Sequence, residues 1–590
     1  MIQKLLWLAT VSLIALSVSF AGGNKKKGAY EEPFRDNQPY DPHAPVARAT
    51  EPNWRDIVTD VGSPTTLTGF YDYQSNGGAV QHIRVNPANG NIHVTYMIAT
   101  DSTAAGLNAS RRVVYAFSSN GGTTWNNFSN VQVPSRRAGF PTIDLLRGPN
   151  AGLPAIANHN DPGGGLRVLV YVDSPEGSGA FSELNSPPLI QGGTDEPIWP
   201  YIAGASDGSV IVSASRSTAA SFHRTRTADF VTWSAWADIT PGGVPTVNVT
   251  NGGRYPVHAN GTGRVGVLAN TSNGTSFLGN WFYESTDNGV TWGAATNIFP
   301  FRIVTSGTRV DTFNAYVHSD FVYNGNTPLF AFTEYATAAD RNDVNIVFWS
   351  QATGFKVAVP YDSTKYFFDP INQRFHALNL GWPSIGLSGT TNPTIVIAYQ
   401  AFQADTDSRG YHYSDLWYVA STNGGMTWGG PQRITNTRTI DERYPSVSKW
   451  NAAGQFNMVW GQKNRSGLYA FPGTADTVRS SQMFLRVSPI VVTSVQQIAP
   501  GVTTSYALRQ NYPNPFNPAT KIDYTVARSG PVSIKVYNTL GQEVATLLDE
   551  HLAPGEYQVT FDGAHLPSGV YVYTMRAGSF SESRKFILMK

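Results

Sequence analysis

An all-β chain, a ring of repeated four-stranded units followed by a small β-sandwich, is the architecture the sequence predicts, and three observations predict it. The octet S-T-D-N-G-V-T-W at 285–292 recurs as S-S-N-G-G-T-T-W at 118–125 and as S-T-N-G-G-M-T-W at 421–428. A weaker relative, T-A-D-F-V-T-W, keeps Asp229 and Trp233 but has Phe230 where the others have glycine. An aromatic residue followed by proline recurs at Phe140-Pro141, Trp199-Pro200, Tyr255-Pro256, Trp382-Pro383 and Tyr444-Pro445, with prolines 59, 56, 127 and 62 residues apart. The composition, with 56 Gly, 37 Pro, 14 Trp, 28 Tyr and 30 Phe, favours short strands and turns over helices.

The octet is turn chemistry. The short side-chain oxygen of Asp287, or of Asn120 and Asn423, accepts hydrogen bonds from backbone N–H groups just ahead of it. Gly289, Gly122 and Gly425 supply the positive φ of the reversal, and Ser285, Ser118 and Ser421 open each copy. Trp292, Trp125 and Trp428 then give the hairpin a large apolar anchor. This pattern resembles the Asp-box of sialidase-like β-propellers, and the resemblance places it between the third and fourth strands of a blade, on the face away from the ligand.

The spacing supports the same architecture. A period of about sixty residues holding some four short strands is that of a propeller blade with generous loops. The 127-residue interval spans two periods, its gap filled by the run from Asn314, and another unit opens at Gln81. Starts near 81, 141, 200, 256, 315, 383 and 445 count seven blades. Sialidases have six, which is the alternative if an end unit is irregular. Within the fourth unit, alternating or apolar runs at 257–259, 265–269, 281–284 and 294–298 read as its strands.

The chain begins with a predicted secretory signal at 1–21: Lys4, an apolar run from Leu5 to Val18, and the small-x-small Ser19-Phe20-Ala21. A polar, proline-rich leader follows at 22–60. After cleavage no transmembrane segment is expected. The formal net charge of +1 gives no reason to expect nucleic acid as a partner, and with no cysteine an exported chain depends on packing alone.

The expected propeller occupies 61–487. Its strand order puts the second-to-third loops and the connections between blades on one face, where a ligand would be met on loops over a rigid frame. Candidates there are Arg254, Asp441, Glu442, Arg443, Tyr444, Trp199, Trp382 and, in the loop 402–413, Arg409. The sialidase resemblance implies an arginine cluster for a substrate carboxylate, a carboxylic acid and a tyrosine nucleophile. Its Phe/Tyr-Arg-Ile-Pro signature is missing: the first unit reads His82-Ile83-Arg84-Val85, and Phe301-Arg302-Ile303-Val304 lies too late and lacks the proline. Arginine beside Asp441 and Glu442 equally describes an ion-pair tie between blades. Trp199, Trp382 and Tyr444 read either as sugar-stacking platforms or as packing. No cofactor is implied beyond a hint of a calcium loop at Asp405, Asp407 and Gly410, which lacks an acid at its twelfth position, Leu416.

A linker is expected at 488–503 and a sandwich of about 85 residues at 504–590. Its strands read as 521–526, 532–537, 557–561 and 570–575, with a final run at 583–589. The stretches Q-N-Y-P-N-P-F-N-P from Gln510, V-Y-N-T-L-G-Q-E-V from Val536, S-G-V-Y-V-Y from Ser568 and R-K-F-I-L-M-K from Arg584 resemble the type A C-terminal sorting domain of type IX secretion. The resemblance implies recognition by that machinery and passage across the outer membrane. The expectation is a secreted or cell-surface propeller that binds an extracellular carbohydrate or polymer, with an exo-acting glycoside hydrolase of the sialidase type as the alternative and a purely structural surface protein as a third class.

Overall fold

The computed structural model describes residues 61–590 except 76–77, 104–105, 127–130, 164, 191–195, 217–220, 240–254, 273–276, 300–301, 307–308, 337–343, 363–365, 368–378, 468–477, 491–492, 501–504, 529, 553 and 564–565. The expected signal and leader, and Arg254, lie outside the described residues.

Among the described residues seven sheets, antiparallel but for one short parallel pair of Leu387–Ser388 with Trp450–Asn451, follow one another along the chain, each packed on the next, with the seventh returning to the first. Their innermost strands are Ile83–Val85, Ala138–Leu145, Pro197–Gly204, Val257–Ala259, the second half of Arg309–Asn324, Leu380–Ser388 and Asp441–Val447. The chain is a seven-bladed propeller, the count that the repeats predict. Its ring is closed by a strand the repeat pattern did not reveal. Ser63–Gly69 pairs antiparallel with Ser480–Val487 as the outermost strand of the seventh blade, so sequence-distant ends share one sheet.

The aromatic-proline pairs have a backbone meaning. Phe140, Trp199, Trp382 and Tyr444 all hold positive φ, between 52° and 61°. Beside each, the ladder to the second strand shifts register: between Gly139 and Thr142, opposite Trp199 between Ser213 and Ser215, between Gly381 and Ser384, and between Arg443 and Ser446. Proline has no N–H to give the ladder, and each of these four pairs is a bulge that bends the innermost strand near its start and re-aims the aromatic, whereas Tyr255-Pro256 has neither the positive φ nor the shift. A left-handed residue costs on the order of 1–3 kcal/mol, so this conformation persists only because its surroundings determine it. The fifth blade lacks the proline yet shifts at the same step, between Ala315 and Ser319.

The octets close as predicted. Gly289 N–H donates to Ser285 Oγ at 2.8 Å and Thr291 N–H to Asp287 Oδ1 at 2.8 Å. Gly122 and Gly425 repeat the serine contact at 2.9 and 3.0 Å. Each glycine is pressed on the preceding blade: a Cβ on Gly122 would lie 2.0 Å from Phe484, and one on Gly425 2.1 Å from Phe348. Trp125 and Trp428 pack edgewise or tilted on the same two rings, at 5.2 and 5.1 Å. Phe230 adopts the glycine's conformation in the weaker copy, with φ 64°, while Asp229 Oδ1 still accepts from Val231 and Thr232. In the second blade Gly177, φ 72°, abuts Phe117 in the same manner without any octet to announce it.

The tail is a sandwich of two four-stranded sheets. One orders Thr493–Pro500, Gly555–Asp562, Ala519–Val526 and Ala507–Leu508; the other orders Glu543–Leu552, Gly530–Tyr537, Gly569–Ala577 and Phe580–Leu588. Alternating positions of Gly555–Asp562 are buried, and Ile522, Val559, Phe561, Tyr573 and Phe586 share its core. The linker expected at 488–503 is corrected here: Thr493–Pro500 pairs along Gly555–Asp562 as a strand of the sandwich. The backbone groups of Gly555–Asp562 on that side would otherwise lack partners, and the strand supplies them.

Candidate functional site

The loop face is built from the starts of the first strands, the ends of the second and the starts of the third. Between the closing strand and the first blade, residues 70–82 must run from the rim to the axis on this face. Residues 71–75 and 78–82 are buried, and they tie five blades together. Tyr201 Oη donates to Ala79 O at 2.9 Å and Ser446 Oγ to Val80 O at 3.0 Å, while Gln81 Nε2 meets His258 Nε2 at 3.0 Å. Ile143 N–H donates to Gln81 O and Thr95 N–H to His82 O, both at 3.0 Å.

Close to this crossing the inner strands carry matched charges. Arg84 Nε donates to Asp144 Oδ1 at 2.7 Å, and Lys449 pairs with Asp320, which also faces His258 at 3.3 Å. Burial lowers Lys449 to about 8 despite the opposing Asp320 charge, and lowers His258 to about 3, leaving the imidazole neutral. These groups fill the middle of the ring with a neutralised network.

The seventh blade gathers Asp441, Arg443 and Tyr444 with Asp72, Lys463 and Ser480 around one small cleft. It does not free them for chemistry. Arg443 is 3% exposed, Asp441 1% and Tyr444 2%. Arg443 Nε donates to Asp441 Oδ2 at 2.7 Å, its guanidinium lies 4.9 Å above the Phe402 ring, and Asp441 Oδ1 accepts from Ser414 N–H at 3.1 Å. Lys463 pairs with Asp72. Burial pushes the Asp441 carboxyl up, against the Arg443 and Lys463 charges. Glu442 is fully buried, accepts from Thr437 Oγ1 at 3.4 Å and hydrogen-bonds Asp415. Burial raises the Asp415 carboxyl to about 6 even though Arg433 Nε stands 2.8 Å away. The ion-pair tie weighed for these residues is what the geometry supports.

The remaining expectations divide. Trp382, 1% exposed, packs edge-on against Tyr444 at 5.0 Å and tilted over His318 at 3.8 Å, so both aromatics belong to packing. Arg409 donates to Asp407 Oδ2 at 2.6 and 3.0 Å and to Ser466 O at 2.7 Å. Its guanidinium takes the carboxylate of the suggested calcium loop, while Asp405 is exposed. Among the described residues no group of three or more His, Asp or Glu could hold a metal ion, and no helix is long and apolar enough to cross a membrane.

Trp199 is different. Half-buried, it stands edge-on to Phe140 at 6.4 Å. With Pro141, Thr142, Pro200, Tyr201, Gln74, Ser75, Ala79 and Val80 the two rings wall a small cleft between the second and third blades and the crossing segment. Sequence reasoning reached both rings through their prolines but singled out only Trp199 as a candidate. It missed the segment 70–82, whose only local signal is a run of aromatic and small polar residues before the first blade.

Residues 510–589 match the family model described as the secretion system C-terminal sorting domain. No curated protein matches the chain. Similar solved structures include a protein of unknown function from Dyadobacter fermentans, with 13% identity over 61% of this chain and 98% of that one, TM-score 0.36. A GH93 α-L-arabinofuranosidase of Fusarium graminearum complexed with arabinobiose gives 12% identity, 72% and 98% coverage and TM-score 0.36. A Hadza microbial sialidase gives 12%, 63% and 72%, and 0.33. Likeness at these scores carries no weight for function, and the propeller stands on its own seven sheets. The tail is another matter: its sequence signature, its sandwich and the matching model agree that residues 510–589 are a secretion system C-terminal sorting domain, which directs this chain to the cell surface or beyond.

Proposed function

We propose that the exported chain binds an extracellular carbohydrate or related polymer on its loop face, in the cleft of Phe140 and Trp199, and does not hydrolyse it. One observation carries the reading. Trp199 is the candidate aromatic that is partly exposed, in a cleft walled by rings, prolines and small polar side chains, whereas Asp441 and Arg443 are buried against one another as an ion pair. A half-exposed indole beside polar groups suits the alternating C–H and O–H faces of a sugar ring. A hydrolase of the sialidase type would need its carboxylic acid and its arginines facing substrate.

A glycan array and a fluorogenic sialoside assay on the full mature chain test the proposal. Polymer capture weakened about tenfold by Trp199→Ala, with no turnover, supports it. Turnover abolished by Arg443→Ala overturns it in favour of the glycosidase. For export, deleting 506–590 is expected to leave a folded propeller in the periplasm, checked by fractionation; the truncated chain found outside at normal levels would contradict recognition of the tail by the type IX machinery.

A further inference from the structure

Beside that cleft stand two arginines that the charge matching elsewhere in the ring has passed over. Arg111 opens the third strand of the first blade, Arg137 immediately precedes the first strand of the second, and His159 lies near the end of the second blade's second strand. In a propeller all three positions lie on the loop face. Arg111 is 5% exposed, yet among the described residues no carboxylate pairs with it and no hydrogen bond reaches its buried Nε. Its guanidinium lies 5.5 Å from the centre of the Tyr71 ring and 5.6 Å from that of Phe140. Arg137 is half-buried and, among the described residues, gives one hydrogen bond, from Nε to Asn108 O at 3.0 Å, and no ion pair.

Gly139 lies beside this group: a Cβ there would stand 2.9 Å from Met97 Sδ, 3.3 Å from His159 Nε2 and 3.5 Å from the Arg111 guanidinium carbon. His159 is 2% exposed and its Nε2 has no hydrogen-bond partner. Its ring packs 5.2 Å from Phe140 and 6.3 Å from Trp199. The two cations repel: burial and the Arg111 charge both lower Arg137, with Asp161 opposing, and Asp161 Oδ1 itself accepts from Gly163 N–H at 2.9 Å. Aromatic faces return only part of what a guanidinium loses on leaving water, and like charges side by side add to the loss. A buried pair of this kind is satisfied by an anion.

We propose that Arg111 and Arg137, with His159 beneath and Tyr71, Phe140 and Trp199 around them, form a subsite for an anionic substituent, carboxylate or sulfate, on the polymer held in the cleft. The inference rests on the reading of that cleft as a binding site, and it names the class of ligand. The arginines are not those singled out at the seventh blade, where Arg443 already has its carboxylate.

Binding of tetragalacturonate, dextran sulfate and neutral dextran to the full mature chain, to Arg111→Gln and to Arg137→Gln tests it. The first two probes separate carboxylate from sulfate. At least one is expected to bind more than about tenfold tighter than dextran, with the preference lost in Arg111→Gln and weakened on going from about 50 to about 500 mM salt. Arg137→Gln, at a half-exposed position, keeps the test decisive if the first variant fails to fold. Equal affinity for all three polymers, or a preference unchanged in both variants, overturns the subsite. If that happens while capture still depends on Trp199, only the anionic class is lost; an anion preference that survives Trp199→Ala while neutral capture ignores that change removes the cleft reading instead.

Discussion

Tyr444 and Phe140 occupy the same step of the repeat, each at positive φ before a proline, but their charged neighbours are arranged in opposite ways. Around Tyr444 every cation has an acid beside it: Arg443 with Asp441, and Lys463 with Asp72. Around Phe140, Arg111 lies over aromatic rings beside a neutral imidazole, and among the described residues neither it nor Arg137 makes an ion pair, the Asp161 charge only opposing the fall of Arg137. One backbone device thus produces a seam that ties blades together and another seam that remains incomplete. Matched charges, more than position on the face, decide which of them has binding capacity to spare.

The sharpest way to break the comparison is to unmatch the matched side. Asp441→Ala leaves the buried Arg443 guanidinium without its carboxylate and is expected to cost about 3–5 kcal/mol in urea unfolding. A loss below about 1 kcal/mol, the scale of an exposed pair, would mean the two seams do not differ as described.

The pH dependence comes next. The folded-state Asp415 carboxyl is raised to about 6, so its protonated form is favoured in the fold. Its stabilising contribution is complete below the unfolded carboxylate range, near pH 4, and is lost as pH rises through about 6, a drop on the order of 1–3 kcal/mol. Asp415→Asn should flatten that slope in thermal melts taken between pH 4 and 7. An unchanged slope would remove Asp415 from the account.

The smallest effect is the most telling. Arg111→Met replaces an unmatched buried charge by an apolar chain of similar length, and unfolding free energy should stay within about 1 kcal/mol of wild type or rise. A loss comparable to that of Asp441→Ala would show that Arg111 is a structural tie after all.

Much of the ring was legible because its signals are local and repeated. Ser285, Asp287, Gly289 and Trp292 lie within eight residues, so turn chemistry alone fixes their contacts. The aromatic-proline pairs marked the innermost strands for a similar reason, since proline withholds an N–H from the ladder and four of the five pairs stand at a bulge near a strand's start. Where the chain departs from its period the pattern was silent. Ser63–Gly69 closes the last sheet from the far end of the chain, Gly177 does a glycine's work without the octet, and Thr493–Pro500 looked like a linker until its partner strand was placed beside it.

The candidate site was less legible. Arg443 and Asp441 are near neighbours in sequence, and the sequence read them both as a ligand pair and as a tie; burial in the seam resolved this. Arg111, Arg137 and His159 come from three strand ends in two blades, and nothing local distinguishes them from surface residues.

By itself the chain of residues determined an all-β repeat, its seven blades and the sorting tail, because hydrogen bonding within turns and the spacing of strands act over short stretches. The tertiary structure alone decided which charges meet a partner. Ion pairing and burial depend on distances between residues remote in sequence, and those distances exist only once the ring has closed.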